Sequence, residues 1–438
     1  MRYSRLVIAA LVLPLLAGCK DLVTNQTMGP QAVRGNPSGG AQFYTYVALG
    51  TSISAGVQSG GINDSTQKQA FPYLLANAMG LTPGVNWFYP SFTMPGCTPP
   101  FLNPLTQPIT YVNGATATTC NYRNPAYIAP INNNLGVPSI RAAQVLNITA
   151  LPFPVTDTLL AAQLITGSRN PIDLLIAAKP TFVTMEVGAD DILHAATYGS
   201  ATLLTPLATL QTQLTTIADS IQATGAHVAI ANVPNVTVIP HFSAGVIFWC
   251  LHNGGAYCPA AAGLPPATLP YSSPLFNVDS SCIASALYPT KGVGDLTLVT
   301  FKATAAITGT LAQSGPATLN CAAGTATAAG VSTAASGGFV LTPAAVAAIA
   351  TEVVQIDSFI HLQAIARGWA YVDVNGALAA AVAGGQIPKF PNFATPATLF
   401  GPVTSLDGIH PNGAGHKIIA DLFVAAINAK YGSTLTPP

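Results

Sequence analysis

The chain is 438 residues long, half of it apolar, with only 7% charged residues and 15 basic side chains set against 15 acidic ones. That length and apolar content suffice for a sizeable core, in one large domain or two small ones. An average soluble chain is about 25% charged, and the lack of any basic excess here argues against a nucleic-acid partner and against a polyionic substrate.

The N-terminus opens with a short basic head, "MRYSR", followed by "LVIAALVLPLL", an apolar stretch too short to span a membrane as a mature helix. "LAGC", ending at Cys19, resembles a bacterial lipobox. The resemblance implies a signal peptide over residues 1–18, lipidation of Cys19 as the mature N-terminus, and a membrane reached through that lipid anchor. Lys20, not Asp, follows the cysteine. By likeness to enterobacterial lipoproteins, nothing then signals retention at the inner membrane, and the expected location is the cell envelope, at the outer membrane or surface. Residues 19–40, rich in Gly, Pro, Asn and Thr, read as a flexible tether. Residues 41–432 read as the folded domain.

From there strand-like and helix-like segments alternate. "FYTYVALG" (43–50) is a β-rich run ending in Gly, and "QAFPYLLANAMG" (69–80) has helical spacing with a Gly stop. "PTFVTMEVGADD" (180–191) is an apolar run emptying into a polar turn. A long amphipathic pattern at 201–225 precedes the strand "AHVAIANVP" (226–234). Over 342–368 the sequence predicts a helix with Thr342 as N-cap, Pro343 in the first turn and Gly368 as the stop. "WAYVDV" (369–374) is the next strand, and 412–432 the last helix. Near-continuous apolar strands alternating with helices predict a parallel sheet covered on both faces. In such sheets the reactive groups gather at the carboxyl ends of strands, where Ser52, Asp190 and Asp191 all fall. Two stretches, about 91–140 and 240–340, break the alternation and read as insertions. Removing Cys19 leaves Cys97, Cys120, Cys250, Cys258, Cys282 and Cys321, an even set suited to disulfides in an exported chain. Proximity favours Cys97–Cys120 and Cys250–Cys258, leaving Cys282–Cys321. With no paired C-x-x-C and no histidines clustered on the cysteines, no metal site is expected.

A serine hydroxyl is a weak nucleophile near neutral pH. It needs a base, usually His, and the base needs an orienting carboxylate. "LDGIHPNGAGH" offers both, with Asp407 and His410 three residues apart just ahead of the last helix. Gly50-Thr51-Ser52 after the first strand, "EVGADDIL" (186–193) after a middle strand and "DGIHPNGAGH" (407–416) before the last helix form an ordered set. Together they resemble the SGNH hydrolase family, also called GDSL lipases and esterases, from about residue 43 to 431. "QAFPYLLA", "NLGVPSI" and "ANVPNVTVIP" echo it more softly.

The resemblance implies a three-layer α/β/α sandwich of flavodoxin-like type around a parallel sheet, and hydrolysis of a small-molecule or lipid ester without metal or organic cofactor. It makes Ser52 the nucleophile, His410 the base and later the acid, and Asp407 the residue that orients the imidazole. The oxyanion hole passes to the N–H groups of Ser52 and Ser139 and to the side chain at Asp190. Three positions depart from the family pattern. Thr51 stands where Asp is usual, and Ser139 where Gly is frequent, with Gly136 as the rival. Asp190 replaces the donor Asn, and an ionised carboxylate there would only accept. A protonated Asp190, a substitute donor such as Asn134, or a noncatalytic ligand-binding lipoprotein on the same fold are the ways out. A polysaccharide deacetylase and an envelope-assembly protein are the other readings. Asp191 is expected to fix its own turn or cap a helix, His416, His227 and His361 to be structural or solvated, and His194 to lie at the surface. His241 and His252 belong to the second insertion. "GVQSGG" after Ser52 lacks the Walker pattern, so it is not expected to cradle phosphate.

Overall fold

Five parallel strands make the centre of the molecule: β1 (Tyr46–Gly50), β2 (Asn134–Gly136), β3 (Phe182–Glu186), β4 (His227–Ala231) and β5 (Ala370–Val372). They lie in the order 2-1-3-4-5. This is a computed structural model. It describes residues 37 and 39–438, apart from 106–107, 122–130, 151–161, 163, 260–263, 265–269 and 330–338. The leader, Cys19 and the tether up to residue 36 fall outside the described residues.

The period of two along each strand sorts the core into two halves. Val47, Leu49, Val183, Met185, Val228 and Ile230 face one side. Tyr46, Ala48, Phe182, Ala229 and Ala231 face the other. Helices α3 (Pro171–Ala178), α5 (Leu207–Gln222) and α6 (Pro343–Arg367) cover the first face. They bury Leu174 and Leu175, Leu210, Leu214, Ile217 and Ile221, and Ile349, Val353, Ile356 and Ile360, all at helical spacing. Helices α2 (Phe71–Ala78) and α8 (Gly413–Tyr431) cover the second face. There Phe71 stacks on Phe423 with centroids 4.8 Å apart. Three layers result, as expected, and the capping chemistry places their ends. Thr342 accepts from the Ala345 N–H, Pro343 opens α6, and Gly368 ends it at φ 68°.

The strand order reverses between β1 and β3, which opens a crevice beyond their carboxyl ends. Two short helices start there, α1 (Ser52–Ala55) directly after β1 and α4 (Ala189–Thr197) directly after β3. At the far edge of the sheet, α7 (Val374–Ala383) follows β5.

All three proximity pairings are formed: Cys97–Cys120, Cys250–Cys258 and Cys282–Cys321. The second insertion builds a core of its own around Phe248, Tyr271, Phe276, Ile307 and Leu319. Its start, Phe242–Ala244, and its end, Val340–Leu341, flank the strand Leu298–Thr300. Within the insertion Ala317–Asn320 and Thr325–Thr327 pair as antiparallel strands. The first insertion is shorter than expected, because Asn134–Gly136, inside the range 91–140, is the edge strand β2. Its asparagines do the work of an apolar run there. Asn133 donates to the Tyr46 carbonyl at 2.9 Å and accepts from the Phe88 N–H at 2.8 Å. The domain also outruns 41–432 at both ends. The Gly39 N–H reaches the Met79 carbonyl at 3.4 Å, and Leu435 is buried.

Candidate active site

β1 ends at Gly50, where any Cβ would collide with Ser54 and Glu186. The chain then turns at Thr51 into α1, so Ser52 stands on the first turn of a helix at the carboxyl edge, only 6% exposed. The turn is held from the neighbouring strand. Glu186, the last residue of β3, accepts from the Thr51 N–H at 3.0 Å, the Thr51 hydroxyl at 2.9 Å and the Ser54 hydroxyl at 2.9 Å. Burial raises the Glu186 pKa, although those hydrogen bonds favour its charged form. Where the resembled motif carries an acid at position 51, this chain brings one from β3 instead.

The Ser52 hydroxyl lies 2.9 Å from His410 Nε2. On the far side of the ring, His410 Nδ1 lies 2.8 Å from Asp407 Oδ2. Residues more than 350 positions apart therefore meet in one line. Asp407 is saturated: it also accepts from the N–H groups of Gly60, Ile409 and His410 and from the Ser405 hydroxyl, at 2.8–3.0 Å. Burial alone would raise its pKa. The charge and hydrogen bonds of His410, with the Gly60 N–H, outweigh it and hold the carboxyl well below the usual range. For His410 burial pulls the other way, and the Asp407 charge and hydrogen bond win, so the imidazole is more basic than usual.

The loop "GVQSGG" turns out to clamp the acid. Its Ser59 N–H donates to the Ser405 hydroxyl at 3.0 Å, its Ser59 hydroxyl accepts from the Leu406 N–H at 3.2 Å, and its Gly60 N–H reaches Asp407. His241, from the start of the second insertion, braces the turn that carries Asp407. Its N–H donates to the Gly408 carbonyl at 2.9 Å, and its Nδ1 lies 3.1 Å from the Asp407 carbonyl. Gly408 has φ 71°, and a Cβ there would sit 3.0 Å from the His241 nitrogen, so glycine is required on both counts.

Ser139 lies just past β2 on an exposed turn with φ 59°, a left-handed conformation that a serine adopts at a cost. The rival donor is already engaged, since the Gly136 N–H gives its hydrogen to Asn134 Oδ1 at 2.9 Å. Asn134 gives an amide N–H to the Ser54 carbonyl at 2.8 Å.

Asp190 sits on the first turn of α4, 8% exposed. Burial first, then the Glu186 carboxylate and Asp191, push its pKa up to about 8 against the opposing charges of His410 and Arg141. That shift favours the neutral acid, which has an O–H to donate. Asp191 ties other segments to α4: it accepts from the Ala142 N–H, at the start of the helix Ala142–Leu146, at 2.9 Å and from the Thr205 hydroxyl at 2.7 Å. His194 is half-buried rather than superficial, stacked on Tyr198 at 4.4 Å. His416 is fully buried, and neither ring nitrogen has a partner among the described residues.

Glu186, Gly60, Ser405 and His241 are the site residues the sequence reading misses. Only Glu186 leaves a signal, as a lone carboxylate closing the buried run "FVTME". No protein-family model and no curated protein matches this chain.

Proposed function

We propose that the protein hydrolyses carboxylic esters through an acyl-enzyme, on a fold of the SGNH hydrolase kind, held at the bacterial envelope by a lipid on Cys19. The observation that carries this is the unbroken line Ser52–His410–Asp407, with contacts of 2.9 and 2.8 Å. His410 Nε2 takes the hydroxyl proton as Ser52 Oγ attacks the ester carbonyl. Asp407, which stays ionised, holds the other ring nitrogen protonated and stabilises the imidazolium. Negative charge gathers on the carbonyl oxygen, where the Ser52 and Ser139 N–H groups and the Asp190 O–H are the donors. When the tetrahedral adduct collapses, the alcohol leaves with the proton from His410. Water, deprotonated by the same imidazole, then releases the carboxylic acid and restores Ser52. The neutral form of Asp190 answers the objection that a carboxylate would repel the oxyanion.

A fluorophosphonate probe tests the nucleophile without knowledge of the substrate. It is expected to modify Ser52, mapped by peptide mass spectrometry, and Ser52→Ala should lose both labelling and hydrolysis of nitrophenyl acetate. A folded protein that takes no label at Ser52, or a Ser52→Ala variant that still turns over the ester, sinks the reading.

A further inference from the structure

The loop that clamps Asp407 is itself clamped. Across it lies the first insertion, a part of the chain to which the ester chemistry gives no task. The two run side by side. The Ile62 N–H donates to the Thr98 carbonyl at 2.8 Å, the Cys97 N–H to the Ile62 carbonyl at 3.0 Å, and the Phe101 N–H to the Ser59 carbonyl at 3.0 Å. They also approach closely: a Cβ on Gly61 would lie 2.3 Å from the Pro100 nitrogen. Over Gly60 stands the ring of Phe101. A Cβ on Gly60 would lie 2.5 Å from the Phe101 Cε1, so the ring rests directly on the residue whose N–H reaches Asp407.

That N–H ends on Asp407 Oδ2 at 2.8 Å, the same oxygen that faces His410 Nδ1 at 2.8 Å. Gly60 has φ 66° and no side chain of its own to hold it in place, so the hold comes from outside. The insertion is built to keep the ring there. Phe101–Asn103 pairs antiparallel with Thr110–Tyr111, and Cys97–Cys120 closes the chain around both. Leu105 packs on the cluster of Phe301, Leu399 and Phe400, which Leu406 also joins. One segment thus bears on the acid through the loop that donates to it and through the cluster that holds its neighbour.

We propose that Phe101 is a positioning residue for the ester hydrolysis, its ring seating Gly60 so that Asp407 meets the imidazole in line. The role rests on the hydrolase reading, and it is exerted through Gly60 and Asp407. Phe101→Ala removes the ring and keeps the backbone bond to Ser59. For nitrophenyl acetate its kcat is expected to fall about tenfold or more with KM little changed, since a misplacement of about 1 Å can cost about 100-fold. With Asp407 out of line, His410 loses the charge that raises its pKa, so the ascending limb of kcat should move to lower pH. Phe101→Met, which keeps an apolar side chain over the glycine, should restore most of both. A Phe101 that serves stability alone would lower the unfolding temperature and leave kcat and the limb in place. A second readout needs no turnover. The His410 Nδ1 proton, held by Asp407, is followed by nuclear magnetic resonance as a low-field signal, assigned by its loss in His410→Gln. It should shift or vanish in Phe101→Ala and return in Phe101→Met. Should Phe101→Ala fail to fold, Cys97→Ala with Cys120→Ala opens the insertion without touching Phe101 and is expected to move both readouts the same way. An unmoved proton signal in a folded variant overturns the proposal whatever kcat does, and a shifted signal with kcat unchanged overturns it too; either leaves the hydrolase reading standing. A shifted signal in a protein that neither labels at Ser52 nor hydrolyses ester keeps Phe101 as the support of Asp407 and removes the hydrolase reading.

Discussion

Asp190 is where chemistry and pH meet. In the proposed mechanism turnover requires His410 neutral, and Asp407 holds the His410 pKa above its ordinary value, so activity should rise with pH through a midpoint above the usual histidine range near about 6.5. It should fall again as Asp190 ionises near pH 8 and its donor becomes a repelling charge. Because Asp190, Glu186 and His410 interact, the two limbs belong to the cluster rather than to single residues. Asp190→Asn keeps a donor and cannot ionise. It should match the wild type near neutrality and overtake it above about pH 8, by up to the 10²–10³ that one oxyanion donor is typically worth. The check is kcat/KM for a short nitrophenyl ester across the pH range; a descending alkaline limb that survives in the variant would place Asp190 outside the oxyanion hole. A second residue acts on stability instead. Burial pushes the His416 pKa down to about 3, below its unfolded value. The folded state therefore gains nothing from protonation where the unfolded chain does. Stability from this residue is full above about pH 6.5 and drains away as pH falls towards 3. His416→Met should flatten that decline, with a difference from wild type that grows to a few kcal/mol at the acid end. Urea midpoints measured at several pH values report it, and parallel curves for the two proteins would rule it out.

At the scale of elements, the turn 405–410 is the part on which the site depends most. It carries two residues of the proposed triad, and it is gripped from α1's following loop through Ser59 and Gly60 and from the second insertion through His241. Gly408→Ala forces a side chain into a left-handed conformation and against the His241 backbone. About 1–2 kcal/mol of stability should be lost. Since a misplacement of about 1 Å can cost about 100-fold in rate, kcat should fall by more than the stability loss explains. Thermal unfolding and kcat measured on the same preparation separate the two, and a destabilised variant with unchanged kcat would show the grip to be dispensable. This also shows what the sequence makes legible. Asp407 and His410 are readable because a carboxylate and an imidazole three residues apart before a capped helix have a local rationale. The grip is not, because Gly60 and Ser59 meet Asp407 and Leu406 across more than 340 positions, and a backbone N–H carries no residue signature. The edge strand β2 escapes for a related reason. Strands at an edge need no apolar run, and "NNNLG" stabilises itself by side-chain amides.

For the whole molecule, disulfides and sheet divide the labour. The central sheet and its covering helices contain none of the bridges. Cys97–Cys120 ties the first insertion, and Cys250–Cys258 and Cys282–Cys321 tie the second. The sandwich was legible from apolar periodicity because its core is large and regular. The second core was not, because Thr, Ala and Gly carry little periodicity and the bridges supply what their side chains do not. Sequence proximity recovered the pairing since each insertion closes on itself. The sandwich should accordingly outlast the insertion under reduction. Cys282–Cys321 closes a loop of 39 residues, and loop-closure entropy puts its contribution at about 4 kcal/mol. Cys282→Ala with Cys321→Ala should therefore lower the first thermal transition while leaving the far-ultraviolet signature of the sheet and helices largely in place. Activity should decline with that first transition, because the insertion delivers His241 to the catalytic turn and packs Phe301 against Phe400 at 4.8 Å. If the double variant loses the insertion's protection in hydrogen exchange yet keeps full turnover, the insertion is a passenger on the site; if sandwich and insertion melt together, the two cores are one cooperative unit.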